Sequence, residues 1–490
     1  MRQSGILMHI TSLPSPGGIG DLGAEAYAFA DFLRQSGMKV WQVLPVGPTG
    51  YGESPYQSSS AFAGNPLLIS PARLREEGLL SFEDSELYVP ENPERAAYGP
   101  AMENRMMLLR RAYRQSREKL AEGISDFSAA NPWAKEYALF SALKDHFGGG
   151  MWSKWPAHGI RNHWLLSRWY YGHRLKEEAD FRLFCQVFFR RQWLALKKYC
   201  NDRGISLLGD MPIYVAEDSA ETWAHPRVFQ MDRRRLPTRV AGVPPDYFSE
   251  DGQLWGNPLY NWDYLRKTGF AWWLDRMRAM SELFDIVRVD HFIGFANYYS
   301  IPYGAPNARQ GEWINAPGGE LFAELKRQLP GLRIVAEDLG EVTDRVLNLM
   351  AETGFPGMRV MCYGFDGGED NPHFPANYTE HMVLYTGTHD NDTVRGWAEK
   401  ADPKALRFAE ETLGFSGPAE APRAFIQAAL KSPAETVILP MQDVLGLDGS
   451  ARMNLPGTTK DNWRWCMKPG AAGPETAAWL SALNLMYGRS

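Results

Sequence analysis

The sequence predicts an α/β fold, a (β/α)8 TIM barrel with helical and loop insertions between the barrel strands. Short apolar segments rich in β-branched residues alternate with helical patterns along the 490 residues, and about eight such segments can be counted. Several of these segments end in carboxylates, and catalytic side chains lie at the carboxyl ends of barrel strands. We therefore expect residues 1–490 to form a single catalytic barrel.

The first strand and helix indicate that the strands run parallel. Residues 5–10 predict a strand, residues 24–35 an amphipathic helix, and residues 40–45 a second strand. A βαβ unit of this kind implies a parallel sheet. The glycines at 17–20 do not have the spacing of a dinucleotide-binding fingerprint, so we reject a Rossmann fold.

A long loop dense in Tyr, Ser, Gly and Asn follows the second strand. Loops as long as residues 48–66 are usually functional or disordered, and the aromatic side chains here disfavour disorder. Aromatic faces suit sugar rings, and the chain has 17 Trp, 21 Tyr and 24 Phe, although most of these belong in the core. We interpret the segment as a binding loop for a polyhydroxylated ligand, with Ser54 and Tyr56 as candidate contacts.

Two segments interrupt the alternation of strands and helices. Residues 71–203 carry three long helical patterns and predict a largely helical insertion subdomain beside the barrel. Residues 216–268 are rich in Gly, Pro and aromatic side chains and predict a lid or groove loop. An ordinary packed Ω-loop is the alternative for this second segment.

The alternation resumes after the helical insertion. Further strands are predicted at residues 205–215, 284–292, 333–340, 357–363, 381–393 and 436–439. The first of these should end at Pro212, because proline cannot donate to a ladder. Beyond the last strand, residues 452–465 mix aromatic and polar side chains, which can line a groove or pack the last helix onto the barrel.

Four of the predicted strands end in a carboxylate: Asp210, Asp290, Glu337 and Asp390. A single acidic residue after a strand is commonly the N-cap of the next helix, and Asp338 and Asp392 could serve in that way. Arg288 and Asp290 lie two apart and point to one side of their strand, so a simple salt bridge is also possible. Four carboxylates at one end of a barrel nevertheless favour a catalytic site.

Paired carboxylates at this position indicate retaining glycosidic chemistry. The reaction needs a nucleophile and a proton donor about 5–5.5 Å apart, and neighbouring carboxylates can raise the pKa of the donor. We interpret Asp290 as the nucleophile and Arg288 as the cation that keeps it ionised. His291 and His389 adjoin two of the acids and could donate hydrogen bonds to sugar hydroxyls. A divalent-metal hydrolase is the rival interpretation, but Arg288 would repel the cation.

Composition excludes several other classes of protein. A net charge of -6 argues against a nucleic-acid or anionic-membrane partner, and no stretch approaches the apolar length of a transmembrane helix. The N-terminus carries no signal-peptide pattern. The four cysteines have no metal spacing and look reduced, which suits a cytoplasmic enzyme. We expect a monomer or a weak homo-oligomer.

Ordered motifs along the chain resemble those of the amylomaltases, the 4-α-glucanotransferases related to the α-amylase barrel enzymes. These motifs are SPYQSSSAFAGNP at 54–66, GDMPIYV at 209–215, GQLWGNPLY at 252–260, VRVDHF at 287–292, AEDLG at 336–340 and THDNDT at 388–393. The resemblance implies that the chain cuts an α-1,4-glucan, holds one part covalently and passes it to a sugar hydroxyl instead of water. It also implies no organic cofactor and no required metal.

The resemblance assigns roles to individual residues. It implies that Asp290 is the nucleophile, Glu337 the acid/base and Asp390 the transition-state stabiliser. It also implies that Asp210, Arg288, His291 and His389 occupy sugar-binding positions. The residues that it assigns to the glucan groove and its lid are Tyr56, Asp246, Tyr247, Phe248 and Trp255. One departure is Ile293, which stands where many relatives carry an arginine.

Two alternatives to transfer stay open at this point. A retaining α-glucan hydrolase of the α-amylase type would use the same acids and differ in how well water is kept from the glycosyl-enzyme. A non-catalytic glucan-binding protein would need a broken set of acids, and the set in this sequence is intact.

Overall fold

The computed structural model describes residues 2–83, 85–245 and 250–489, and the strands of these residues form two sheets. The strands are β1 (Gln3–Leu7), β2 (Val40–Gln42), β3 (Ser206–Pro212), β4 (Arg239–Val243), β5 (Gln253–Pro258), β6 (Ile286–Asp290), β7 (Asn297–Pro302), β8 (Glu312–Asn315), β9 (Ile334–Ala336), β10 (Gly357–Val360), β11 (Met382–Tyr385) and β12 (Thr436–Pro440).

Helices surround these sheets. They are α1 (Ala24–Gln35), α2 (Pro71–Glu76), α3 (Tyr98–Ala130), α4 (Pro132–His146), α5 (His158–Arg161), α6 (Leu165–Arg174), α7 (Lys176–Asn201), α8 (Ala220–Ala224), α9 (Trp262–Lys267), α10 (Ala271–Leu283), α11 (Gly318–Gln328), α12 (Asp344–Thr353), α13 (Val394–Lys400), α14 (Pro403–Leu413), α15 (Ala421–Lys431), α16 (Met441–Val444) and α17 (Pro474–Met486).

The larger sheet is the predicted (β/α)8 barrel. Its eight strands lie in the order β10, β11, β12, β1, β2, β3, β6, β9, and all its pairings are parallel. The ring closes between the two ends of this order, because Ala336 of β9 donates its N–H to the carbonyl of Pro356, next to β10, over 3.0 Å. Parallel strands bring their carboxyl ends to one rim, where we expect the site.

Apolar side chains inside and outside the barrel explain why these segments become strands. Val287 and Val289 of β6 are fully buried, as are Ile438 and Leu439 of β12. Gly5 fits a position where β1 and β2 lie very close, since a Cβ there would stand 2.3 Å from the carbonyl oxygen of Val40. The barrel core is therefore packed with branched apolar residues up to the point where the strands end.

Residues 71–203 contain the helices α2 to α7. Helix α4 packs on α7, which in turn contacts β3 of the barrel. A separate aromatic core lies beside it, in which Trp152, Trp155 and Trp223 are fully buried. The sequence predicts its three helical patterns near 103–122, 133–147 and 177–203. Helices α4 and α7 differ from these bounds by one or two residues, whereas α3 extends well beyond its pattern at both ends.

The described residues of the 216–268 segment, where the sequence indicated a lid or groove loop, include strands β4 and β5 and helices α8 and α9. Strands β4 and β5 pair antiparallel and join β7 and β8 in a second sheet of order β5, β4, β7, β8. The sequence pattern of these strands is typical of turns. Prolines flank them, the register shifts between Val240 and Gly242, and Gly252 and Gly256 have positive φ.

Several barrel strands are shorter than the patterns predicted. Strand β1 ends at Leu7 and β11 at Tyr385, before the ends of the predicted segments 5–10 and 381–393. Strand β3 ends at Pro212, as predicted. In the described residues no helix is both long and apolar enough to cross a bilayer. All four cysteines are free and buried.

Candidate active site

A cleft of about 390 Å³ opens at the carboxyl ends of the barrel strands. Nine residues that the sequence singled out line it: Ser54, Tyr56, Trp255, Arg288, Asp290, His291, Glu337, His389 and Asp390. They come from the loop after β2, from the second sheet, and from the ends of β6, β9 and β11. Residues far apart in sequence are thus gathered at one rim of the barrel.

Asp290 and Glu337 stand side by side at the ends of neighbouring strands. Val289 of β6 pairs with Ala336 of β9, so the next residue on each strand is a carboxylate. The N–H of Glu337 donates to the carbonyl of Val289 over 3.1 Å, which continues the ladder to the acids themselves. Adjacent strands lie about 4.8 Å apart, a spacing close to the separation that two carboxylates of a retaining enzyme require.

Arg288 lies beneath this pair and binds two acids at once. Its Nη1 donates to both oxygens of Asp210, over 2.6 and 2.7 Å, and lies 2.9 Å from Oδ1 of Asp290. Burial alone would lower the pKa of the guanidinium, but Asp210 and Asp290 raise it well above its ordinary value. Arg288 is therefore a permanent cation beside Asp290.

Asp210 does not reach the cleft. Its side chain is fully buried and accepts hydrogen bonds from Arg288 and from the hydroxyl of Tyr56, the latter over 2.8 Å. The sugar-binding role that the family resemblance implied for Asp210 stays a prediction, and in this structure Asp210 contacts two residues that themselves line the cleft. Its place in the site is behind Arg288, as an anchor for that side chain.

Glu337 is a buried carboxyl held by backbone donors. The N–H of His291 donates to Oε2 over 2.7 Å and the N–H of Leu339 to Oε1 over 2.8 Å. Burial raises the pKa of Glu337 to about 8; Arg288 and the two backbone donors oppose the rise, and the charge of Asp290 adds to it. The group is therefore a carboxylic acid at neutral pH, ready to give up a proton.

Asp390 faces the same cleft from the end of β11 and is more open, with 41 % of its side chain exposed. Asn454 donates its amide N–H to Oδ1 over 2.6 Å, and Nε2 of His389 lies 3.4 Å from the same oxygen. Arg452 donates to the backbone carbonyl of Asp390. The C-terminal segment thus closes over this side of the cleft and fixes the third acid.

Aromatic rings form two walls. Tyr56 stacks on His389 with ring centroids 5.1 Å apart, and Trp463 lies 5.7 Å from Tyr56. Across the cleft, Trp255 packs edge-on against His291 at 4.8 Å. Burial lowers the pKa of His291 to about 4, although Asp290 opposes this, so its imidazole is neutral at pH 7. Ring faces and neutral donors are features that suit a sugar ligand.

Not every predicted residue is found in the site. Asp246, Tyr247 and Phe248 lie outside the described residues, so their predicted contacts stay predictions. Conversely, the cleft includes residues that the sequence did not single out, among them Gln57, Tyr214, Gln253, Tyr363, Asn454 and Trp463. For Asn454 and Trp463 the aromatic and polar mixture of residues 452–465 was the available signal.

The alternative uses of the strand-end acids find little support. Helices α12 and α13 are capped by Thr343 and Thr393, so Asp338 and Asp392 are not their N-caps. In the described parts of the chain, no group of three or more His, Cys, Asp or Glu side chains is placed to hold a metal ion.

The chain matches one family and several proteins of known name. A sequence model of the 4-alpha-glucanotransferase family matches residues 8–471. The 4-alpha-glucanotransferase of Thermus thermophilus is 46% identical over 495 residues, which cover 98% of each chain, and that of Clostridium butyricum is 42% identical over 98% of this chain and 100% of its own. The solved amylomaltase from Streptococcus agalactiae in complex with acarbose has a TM-score of 0.97 at 40% identity, with both chains fully covered. The amylomaltase from Corynebacterium glutamicum, at 18% identity and a TM-score of 0.79, shares the fold. On these matches, the chain belongs to the 4-alpha-glucanotransferase family.

Proposed function

We propose that this member of the 4-alpha-glucanotransferase family transfers a segment of an α-1,4-glucan to the 4-hydroxyl of another glucan or of glucose by a retaining double displacement. The observation that carries the mechanism is the pair of neighbouring strand ends, with Asp290 beside a cation and Glu337 buried as a protonated acid. Opposite ionisation states of adjacent carboxyls are what the two roles require.

The first displacement forms a covalent intermediate. A carboxylate oxygen of Asp290 attacks the anomeric carbon, the glycosidic bond breaks, and the leaving oxygen takes the proton of Glu337. In the second displacement, ionised Glu337 removes the proton from the 4-hydroxyl of the acceptor, whose oxygen attacks the same carbon. The ester bond to Asp290 then breaks, and Glu337 is again protonated.

The surrounding residues support charge separation in these steps. Arg288 places a positive charge 2.9 Å from Asp290, and it also lowers the pKa of Glu337, which stabilises the ionised acid/base between the two displacements. Asp390, held by Asn454, places a third carboxylate where positive charge develops on the sugar ring. Neutral His291 is suited to hydrogen-bond hydroxyls without adding a repelling charge, and His389 faces the same cleft.

The proposed substrates are maltooligosaccharides, amylose, starch or glycogen. The ring walls made by Tyr56, Trp255 and Trp463 favour an oligosaccharide, and the related enzyme from Streptococcus agalactiae is known in complex with acarbose. Ser54 and the lid residues Asp246, Tyr247 and Phe248 are proposed further contacts. We propose no organic cofactor and no catalytic metal, and no nucleic-acid or membrane partner.

The organisation of the chain enters the proposal as well. We propose one catalytic barrel over residues 1–490, interrupted by a helical subdomain at 71–203 and by a groove insertion at 216–268. Buried free cysteines suit a reducing compartment, which supports a cytoplasmic location. A monomer or weak homo-oligomer is the proposed state.

A maltotriose digest tests the reaction type. A ladder of longer maltooligosaccharides together with glucose supports transfer, whereas sugars that only shorten would support the retaining hydrolase. Asp290→Asn should abolish turnover, and Asp275→Asn on the surface of α10 is the matched control that should leave it unchanged. Full turnover by the Asp290→Asn variant would show that Asp290 is not the nucleophile, and a wild type without turnover would leave a glucan-binding protein as the remaining interpretation.

Azide rescue assigns the two carboxylates separately. With an α-maltosyl fluoride donor, the leaving group needs no acid, so azide can replace the missing side chain. Asp290→Gly should give the β-glycosyl azide, because azide attacks once with inversion. Glu337→Ala should give the α-glycosyl azide, because azide attacks the covalent intermediate. Exchanged anomers would overturn the assignment of the two roles.

A further inference from the structure

We propose that Met358 is a positioning residue for catalysis: its thioether accepts the Nε–H hydrogen bond of Arg288 and so orients the guanidinium between Asp210 and Asp290. The Nε to Sδ distance is 3.4 Å, and Met358 is fully buried below the cleft. The inference rests on the roles proposed above for Arg288, Asp290 and Glu337.

The contact matters because a guanidinium is planar with fixed N–H directions. Nη1 of Arg288 serves Asp210 and Asp290, while Nε–H points to another side of the group and needs its own acceptor. A side chain with only 5 % exposure has little water to fill that place. With Nη1 and Nε both held, the plane of the guanidinium is determined.

Met358 is itself held firmly in place. Its N–H donates to Oδ1 of Asp338 over 2.6 Å, and Asp338 also pairs with Arg359 at 3.2 Å. Gly357 permits this approach, since a Cβ there would stand 2.4 Å from Oδ2 of Asp338. Asp338 directly follows Glu337, so the same strand end positions the proposed acid/base and the sulfur under Arg288.

A thioether is a suitable acceptor at this point because it is neutral and polarisable. A carboxylate in its place would compete with Asp210 and Asp290 for the single positive charge. Sulfur satisfies the Nε–H without drawing charge away from the nucleophile or from Glu337, whose pKa Arg288 lowers against the effect of burial. Met358 thus acts on the reaction only through Arg288.

Three variants test the proposal. Met358→Leu keeps the volume and removes the acceptor; we expect the kcat for maltotriose transfer to fall about tenfold with KM changed less than about twofold. The basic limb of the pH profile should move to higher pH, since a displaced Arg288 lowers the pKa of Glu337 less. Met358→Gln restores an acceptor oxygen and should recover most of the rate.

Met382→Leu, at the buried N-terminal end of β11, is the control for replacing a barrel methionine. The proposal is overturned if Met358→Leu matches Met382→Leu in kcat and pH profile, or if it lowers only the melting temperature. A Gln variant no better than the Leu variant would overturn it too. Wild-type enzyme that fails to elongate maltotriose would instead contradict the proposed function itself.

Discussion

His291 donates its backbone N–H to Oε2 of Glu337 over 2.7 Å, and it does so from a left-handed backbone conformation with φ 51° and ψ 48°. This conformation is uncommon for a residue with a Cβ. It turns the chain immediately after Asp290, so that the amide following the proposed nucleophile points at the proposed acid. Local strain in the backbone is thereby linked to the alignment of the two carboxyls.

The strain at His291 can be measured by comparing two substitutions. His291→Gly should be more stable than His291→Ala by about 0.5–1 kcal/mol in urea unfolding, because glycine tolerates the left-handed conformation. Both variants lose the imidazole and should have similarly low activity. His389 does not have a left-handed backbone conformation, so His389→Gly should be less stable than His389→Ala. If the Gly variant were more stable than the Ala variant at both positions, the left-handed conformation of His291 would not be the cause of the difference.

The raised pKa of Glu337 predicts the alkaline limit of activity. Glu337 must be protonated for the first displacement, so kcat/KM for maltotriose should fall as pH rises through about 8. An α-maltosyl fluoride donor needs no acid, and its glycosylation step should lose this limb. If kcat/KM falls at the same alkaline pH for both donors, a group other than Glu337 causes the fall.

The same pKa predicts how stability depends on pH. Folded Glu337 keeps its proton up to about pH 8, whereas the unfolded chain releases it near the ordinary value of 4.5. The folded state therefore binds more protons across this window, and the wild type loses stability as pH rises through it. Glu337→Gln removes the effect, so it should gain a few kcal/mol relative to the wild type between pH 5 and 9. The free energy of unfolding of both proteins is measured by chemical denaturation at each pH. If it depends on pH in the same way for the wild type and for Glu337→Gln, Glu337 is not a buried neutral acid.

The barrel could be predicted because each of its strands has a recognisable local sequence pattern. Short apolar runs that contain a carboxylate or lie directly before one mark β3, β6 and β9, and Pro212 marks a strand end directly. Val289 of β6 pairs with Ala336 of β9, which brings Asp290 and Glu337, the residues that follow them, to neighbouring positions on one rim.

The parts that could not be predicted depend on contacts between distant segments. Strands β4 and β5 each contain one glycine and lie next to prolines or end in one, and their sheet is completed by β7 and β8 from beyond the next barrel strand. Asn454 reaches Asp390 across 64 positions of sequence, and no local pattern encodes that. Burial of Asp210 behind Arg288 is likewise a result of packing, although its strand-end position was visible.

The hydrogen bonds around Asp210 give the last prediction. Tyr56 and Arg288 both donate to this buried carboxylate, so the stability that each hydrogen bond contributes depends on the charge of Asp210. Asp210→Asn leaves a buried cation with one acid fewer and should cost about 3–5 kcal/mol of stability, together with a large loss of kcat. Tyr56→Phe removes one hydrogen bond and should cost about 1–2 kcal/mol.

A double-mutant cycle separates coupling from simple loss of packing. Once Asp210 is Asn, the Tyr56 hydroxyl no longer meets a full charge, so Tyr56→Phe should cost at least about 1 kcal/mol less in that background. Urea unfolding of the wild type, the two single variants and the double variant gives the coupling energy. Costs that add within about 0.3 kcal/mol would mean that the 2.8 Å contact contributes nothing, and the account of Asp210 as an anchor for both cleft residues would be wrong.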